Sequence, residues 1–214
     1  MLEKIGAPGY ERLSHPRETV LRYVETLKAG HAPITVAEIG VGIGGTTLGI
    51  HRLLSREDTL YLFDYTEVAQ ELCQDFLTRF PEGPRVLARG NSHRRLDSYV
   101  WELGELCAQG APLFDLVFLD GAHSFPFDGL ACCCLKELLK PRGYLILDDV
   151  SMKPRETAQK QPDLREELES SYTQAQMDIP QIAMVERCLL QPDLRFTRRD
   201  NLGSTDMSVY QKIC

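Results

Sequence analysis

Acidic residues stand at the ends of several short apolar runs of the sequence, where their carboxylates could do chemistry. Asp120 ends one such run, and Asp148 and Asp149 end the next. Adjacent ends of parallel strands open on one crevice, where these carboxylates would repel one another unless a cation lay between them. Oxygen ligands suit Mg²⁺. The pattern therefore predicts a magnesium site of Asp120, Asp148 and Asp149; the alternative is that Asp148 and Asp149 only cap the sheet and bind water or a cofactor.

A histidine follows Asp120 in the same predicted loop. The ordinary pKa of histidine, about 6.5, suits proton abstraction at neutral pH. His123 is therefore a candidate general base or ligand, although a lone histidine more often has a structural role. His93 is a second, weaker candidate for the same cavity.

A glycine-rich turn at 40–45 follows the first apolar run and precedes a helical pattern that begins at Thr46. Glycines such as Gly40, Gly42 and Gly44 let the backbone approach a ligand closely, and the N-terminus of the following helix offers free N–H groups. Asp64 ends the next apolar run, where an acidic side chain can accept both ribose hydroxyl protons. Together these features predict a cofactor that contains adenosine.

The glycines alone do not decide which cofactor binds, because Gly40, Gly42 and Gly45 also satisfy the dinucleotide fingerprint. Glu38 favours a different choice. A carboxylate at this strand tip would repel a pyrophosphate, whereas S-adenosylmethionine has no phosphate and carries an ammonium and a sulfonium. S-adenosylmethionine is therefore the predicted cofactor, and a nicotinamide-dependent oxidoreductase is the alternative.

Apolar runs alternate with helical patterns along the chain, which predicts an α/β fold with a mostly parallel, doubly wound sheet. Strands are predicted at 34–39, 59–64, 85–88, 113–119 and 144–147. Helices are predicted at 18–28, 46–54, 67–80, 96–108 and 127–139. Runs at 182–190 and 207–213 predict an antiparallel pair at the sheet edge. The polar segment 151–180, with one helix at 163–170, is predicted to be a mobile lid or insert.

Composition narrows the class of protein. The length of 214 residues predicts one domain over 1–214, which begins with an N-terminal helix at 9–30. The net charge of −7 argues against nucleic acid or an anionic membrane as the partner. No apolar leader precedes the seven cysteines, which favours reduced thiols in the cytoplasm. The composition of 151–180 also fits a homodimer contact.

These segments, in this order, resemble the motifs of class I S-adenosylmethionine-dependent methyltransferases over about 34–150. The glutamate and glycines of 38–44 resemble motif I, 115–123 resembles the fourth-strand motif, and 139–143 resembles the turn before the fifth strand. The resemblance implies a Rossmann-like, seven-stranded sheet with an antiparallel last strand. The cofactor-binding residues it implies are Glu38, Gly40, Gly42, Gly44, Thr46, Asp64, Asn91, Ser92 and Asp120.

The sequence motifs at 120–123 and 147–150 are most similar to those of metal-dependent O-methyltransferases that act on sugars and other natural-product hydroxyls. This resemblance implies Mg²⁺ on Asp120, Asp148 and Asp149, His123 as the general base, and a small-molecule hydroxyl as the methyl acceptor. A protein of this fold that holds the cofactor without transferring a methyl group is the second alternative.

Overall fold

A seven-stranded sheet runs through the computed structural model, which describes residues 1–10, 14–30, 32–91 and 99–214. The strands are β1 (Thr35–Ile39), β2 (Thr59–Asp64), β3 (Arg85–Gly90), β4 (Phe114–Leu119), β5 (Leu139–Leu147), β6 (Phe196–Arg199) and β7 (Ser208–Lys212). Their order is β3-β2-β1-β4-β5-β7-β6. Strands β1 to β5 are parallel, and β7 pairs antiparallel with both β5 and β6. This confirms the predicted Rossmann-like fold.

Helices cover both faces of the sheet. They are α1 (Glu18–Lys28), α2 (Gly45–Leu53), α3 (Thr66–Arg79), α4 (Val100–Ala108), α5 (Phe125–Leu138), α6 (Pro154–Lys160), α7 (Arg165–Ser171) and α8 (Gln181–Val185). Alternate side chains of β1 enter different cores: Val36 belongs to the core that also holds side chains of α1, α2 and α3, whereas Ala37 belongs to the core that holds side chains of α4, α5 and α8. Burial on both faces explains why the central strands read as continuous apolar runs. No helix in the described ranges has the length and apolar character of a membrane span.

The predicted strand at 182–190 is wrong, because this segment is helical. It forms α8, followed by a π-helical turn at Glu186–Leu190. Ile182, Val185 and Leu190 are buried in one core, a spacing that places them on one side of a helix rather than on alternate faces of a strand. The edge partner of β7 is instead β6.

Other differences concern the ends of elements. Strand β5 begins at Leu139, directly after α5, rather than at 144. Helix α4 begins at Val100, and the start predicted for it at 96 lies outside the described residues. The 151–180 segment holds α6 as well as α7, where one helix was predicted. Few side chains of this segment are buried, among them Ala158 and Met177.

The register of the sheet aligns the tips of four strands. Ile39 of β1 pairs with Phe63 of β2 and with Leu119 of β4, and Leu119 pairs with Leu147 of β5. The next residue of each strand therefore stands in one row at the carboxyl edge, about 4.8 Å from its neighbour. The row reads Asp64, Gly40, Asp120 and Asp148.

Candidate active site

A cleft of about 290 Å³ opens at this carboxyl edge. Seven predicted site residues line it: Glu38, Gly40, Gly42, Thr46, Asp64, Asp120 and His123. The lining residues that were not predicted include His15, Arg17 and Tyr99. Asn91 directly follows β3, whose last residue pairs with Asp64, whereas Ser92 and His93 lie outside the described residues. The structure thus brings seven of the predicted residues together at one cleft, whereas His15 and Arg17 reach this cleft from a segment that the sequence did not single out.

The glycine turn brings the backbone of β1 against that of β4. Gly40 has a φ of 83°, and a Cβ there would collide with the carbonyl group of Asp120. Gly42 has a φ of 54° and open space where a Cβ would stand. Gly44 instead packs against the side chain of Leu72. Close packing therefore requires glycine at 40, a φ of 91° favours glycine at 44, and Gly42 leaves room beside the cleft for a ligand.

Asp64 holds the glycine turn in place. Its Oδ2 accepts hydrogen bonds from the backbone N–H groups of Val41, at 3.0 Å, and Gly42, at 3.1 Å, and its Oδ1 accepts one from Tyr65 at 2.7 Å. Burial raises the pKa of Asp64, and these three hydrogen bonds oppose that shift. Oδ2 already accepts two hydrogen bonds, whereas Oδ1 accepts one and has a second lone pair. Asp64 can therefore hold the turn and still accept a ribose hydroxyl.

Glu38 lies almost fully buried beneath the cleft, with 2% of its surface exposed. Burial raises the pKa of Glu38 to about 8, and the charges of Asp120 and Asp64 add to this shift. Its Oε2 has no hydrogen-bond partner among the described residues. A buried carboxyl oxygen without a partner is costly, and a cationic ligand in the cleft would supply one. This observation fits S-adenosylmethionine better than a dinucleotide.

His123 lies between two carboxylates at the mouth of the cleft. Its Nε2 is 3.7 Å from Asp120 Oδ1, and its Nδ1 is 3.7 Å from Asp149 Oδ2. His123 and Asp149 both have a φ of 51°, in the left-handed region that non-glycine residues seldom adopt. Burial and the charge of Asp149 raise the pKa of Asp120 to about 7, and burial also raises the pKa of Asp149. The loop geometry thus places the imidazole of His123 between two closely spaced carboxyl groups.

One ligand atom from each of Asp120, His123 and Asp149 lies within 4.8 Å of the others. Two carboxylates and one imidazole, spaced in this way, fit a single divalent cation. The imidazole nitrogen also suits Mn²⁺, Fe²⁺ or Zn²⁺, whereas Mg²⁺ prefers oxygen ligands.

Asp148, the third predicted ligand, faces a different partner. Its Oδ2 is 2.9 Å from Nε of Arg17, a close charge contact, and its Oδ1 accepts the backbone N–H of Asp149 at 3.0 Å. Burial and the charge of Asp120 raise the pKa of Asp148 to about 7, and Arg17 opposes this shift. The structure therefore groups Asp120 and Asp149 with His123, while Asp148 pairs with Arg17. No sequence motif surrounds Arg17, so sequence analysis had no signal for it.

A buried pair fixes the loop that carries His123. The hydroxyl of Tyr99 accepts a hydrogen bond from the backbone N–H of Ala122 at 2.9 Å. Asp128 accepts hydrogen bonds from the Tyr99 hydroxyl, at 2.6 Å, and from the backbone N–H of Ser124, at 2.7 Å. The loop is thus held on both sides of His123. Neither residue was predicted, because their contact joins the residue before α4 to α5, 29 positions along the chain.

A family model described as "Methyltransferase domain" matches residues 37–150, just over half of the chain. No curated protein matches the sequence. The chain is similar in fold to the O-methyltransferase TomG from Streptomyces achromogenes in complex with S-adenosylmethionine (TM-score 0.62, 15% identity, covering 100% of this chain and 89% of that chain).

Two further solved structures share the fold. One is the O-methyltransferase from Bacillus cereus in complex with S-adenosylhomocysteine (TM-score 0.60, 15% identity, covering 100% of this chain and 90% of that chain). The other is the mycinamycin-pathway methyltransferase MycE in complex with Mg and S-adenosylhomocysteine (TM-score 0.53, 16% identity, covering 90% of this chain and 48% of that chain). At these identities the likeness shows the fold alone.

Proposed function

The chain belongs to the methyltransferase-domain family of class I S-adenosylmethionine-dependent enzymes, and from this premise we propose that it methylates a hydroxyl oxygen of a small molecule. One observation carries the proposal: His123 lies between Asp120 and Asp149 at the mouth of the cofactor cleft. A hydroxyl must lose its proton when it is methylated, and this group of residues can take the proton. The solved O-methyltransferases of the same fold support this choice of acceptor.

The cofactor has a matching group at each part of the cleft. Asp64 would accept a ribose hydroxyl, with Asn91 beside the adenine; Ser92, the second residue predicted for that place, lies outside the described residues. The buried Glu38 and the nearby Asp120 would face the ammonium and the sulfonium, and the glycine turn and Thr46 would lie along the cofactor. The sulfonium supplies its own leaving group, so the protein's main task is to align the acceptor for attack on the methyl carbon.

His123 would act as the general base. Its ring nitrogens are 3.7 Å from carboxylates on either side, so the imidazolium that forms would be stabilised by two negative charges. Tyr99 and Asp128 would keep the loop in position for this transfer.

Asp120 and Asp149 would hold a divalent cation, with His123 as a third ligand; Mg²⁺ on Asp120, Asp148 and Asp149 remains the prediction of the sequence. A bound cation would lower the pKa of the acceptor hydroxyl. A ring nitrogen that binds a cation cannot also accept a proton. His123 can therefore act either as a ligand of the cation or as the general base, but not as both. Activity in the presence of a chelator distinguishes the two roles.

Residues 151–180 would cover the acceptor within one domain over 1–214. Tyr172 of this segment supports the idea, because it lies beside Ser124 of the His123 loop and Asp128 of α5. Burial raises the pKa of Tyr172, and the charge of Asp128 adds to the shift. Arg155 and Asp178 close the segment on itself with an ion pair of 2.7 Å. Such a cover would exclude water during transfer.

The experiment incubates the protein with S-adenosylmethionine labelled in its methyl group and a panel of phenols, sugars and hydroxy amino acids. We expect label in an O-methyl ether, identified by mass spectrometry, and a large loss of that product with His123→Ala. Label found only on nitrogen or carbon would contradict the hydroxyl acceptor. Cofactor binding without label in any acceptor would favour a protein of this fold that does not transfer methyl groups.

A further inference from the structure

Resting on the cofactor proposed above, we propose that Arg17 binds the carboxylate of the methionine part of S-adenosylmethionine. Two contacts place Arg17 over the cleft. Its backbone N–H donates to Thr46 Oγ1 at 3.2 Å, beside the glycine turn, and its Nε lies 2.9 Å from Asp148 Oδ2 at the tip of β5. The segment before α1 is thus fastened across the edge of the sheet where the cofactor tail would end.

Charge complementarity selects the carboxylate as the partner of Arg17. Among the described residues that line the cleft, Arg17 supplies the one guanidinium or ammonium group. The carboxylates of Glu38, Asp64 and Asp120 suit the hydroxyls and the two cationic groups of the cofactor but would repel its carboxylate. That group therefore needs Arg17 or an equivalent cation.

The guanidinium of Arg17 has further N–H donors that can bind a second carboxylate. The close contact with Asp148 uses Nε, and the side chain is still 41% exposed. A guanidinium has five N–H donors, and two of them can bind one carboxylate side by side. Asp148 on one side would fix the guanidinium plane, and the ligand would occupy the other.

The order of the strand tips agrees with a position of Arg17 at the methionine end of the cofactor. Asp64 of β2 would hold the ribose, and the glycine turn of β1 comes next in the row. The methionine tail then extends toward β4 and β5, whose tips carry Asp120 and Asp148. Arg17 stands at this far end of the row, through its contact with Asp148.

Calorimetry with two ligands tests the proposal on the whole chain: S-adenosylhomocysteine, and its decarboxylated analogue S-adenosyl-3-thiopropylamine. The wild type should bind the analogue about 10- to 100-fold more weakly, the scale of a charge-assisted hydrogen bond. Arg17→Gln should lose a similar factor for S-adenosylhomocysteine and stay within twofold of the wild type for the analogue. Arg17→Lys should recover part of the loss. Arg22→Gln, on the exposed side of α1, is the matched control.

Three results would overturn the proposal. The first is equal binding of both ligands by the wild type, a result that needs no variant to fold. Arg17→Gln could retain full affinity for S-adenosylhomocysteine. It could also weaken both ligands by the same factor, which would mean that Arg17 acts through Asp148 instead. Binding of both ligands with no effect of Arg17 leaves the proposed function intact, whereas binding of neither ligand by the wild type contradicts the proposed function itself.

Discussion

The hydroxyl of Tyr99 donates to Asp128 Oδ1 at 2.6 Å, and both side chains are buried. Because the same hydroxyl accepts the N–H of Ala122, one side chain joins α5 to the loop that carries His123. Asp128 in turn accepts the N–H of Ser124 on the other side of His123. The pair thus acts on the proposed chemistry through the position of this loop.

Tyr99→Phe should therefore reduce turnover more than cofactor affinity. It removes a donor from Asp128 and an acceptor from Ala122, which should lower the free energy of unfolding by about 1–3 kcal/mol. Urea unfolding, calorimetry and kcat measure the three effects. Tyr61→Phe is the matched control, since its ring packs edge-on against Phe114 in the core at 5.4 Å. Unchanged kcat in a less stable Tyr99→Phe protein would contradict the positioning role.

Glu38→Gln should change how stability depends on pH. The pKa of Glu38 is raised from 4.5 to about 8 by burial, so the folded state favours the protonated form. In the unliganded wild type this contribution to stability is present below about pH 4.5 and is lost as the pH rises through about 8. The amide has no such loss, so the free energy of unfolding of the variant should rise relative to that of the wild type between about pH 4.5 and 8. The rise should be about 1.4 kcal/mol for each unit by which the pKa differs between folded and unfolded states.

Urea unfolding of both proteins at several pH values measures this difference, because the titrations of other groups cancel. The same variant should bind S-adenosylmethionine more weakly, since it removes the buried carboxyl that faces the cationic groups. Parallel stability curves over that pH range would contradict the assigned environment of Glu38.

Asp64→Ala should weaken cofactor binding by about 1.5–3 kcal/mol, the scale of a lost hydrogen bond to a charged group. It also frees the N–H groups of Val41 and Gly42, so the glycine turn should become less ordered. Calorimetry with S-adenosylhomocysteine measures the first effect, and amide hydrogen exchange at 41–42 measures the second. Unchanged affinity would contradict the assigned role of Asp64.

Chelation tests the proposed cation. With a cation on Asp120, His123 and Asp149, EDTA should abolish methyl transfer, and Mg²⁺ or Mn²⁺ should restore it. Asp149→Asn should lower turnover more than cofactor affinity, because this carboxylate faces His123 rather than the glycine turn. Full activity in excess EDTA would reject the cation and leave His123 as the base, with a contribution of about 10²- to 10⁴-fold to the rate.

Periodic burial explains how far the sequence could predict the fold. Helix α1 and strand β2 have their predicted bounds, because one apolar stripe and one apolar run each point to a single kind of element. The run at 182–190 was misread, because a short apolar segment fits a buried helix as well as a strand. The ends of the strands could be predicted in the same way. Asp64 and Asp120 stand at two of these ends, and both line the cleft.

Contacts between distant segments could not be predicted in this way. Arg17 reaches Asp148 from before α1, and Tyr99 meets Asp128 across two helices. Neither pair leaves a local pattern in the sequence, because each depends on how the elements pack. The separation of Asp148 from Asp149 was also hidden, since it depends on the left-handed φ of 51° at Asp149.

Titration calorimetry of the intact chain with S-adenosylmethionine, NADH and ATP tests the central claim most directly. The buried Glu38 and the neighbouring Asp120 should favour a cationic nucleoside without phosphate, so S-adenosylmethionine should bind while NADH and ATP give no heat. Heat with NADH and none with S-adenosylmethionine would contradict the account of this cleft.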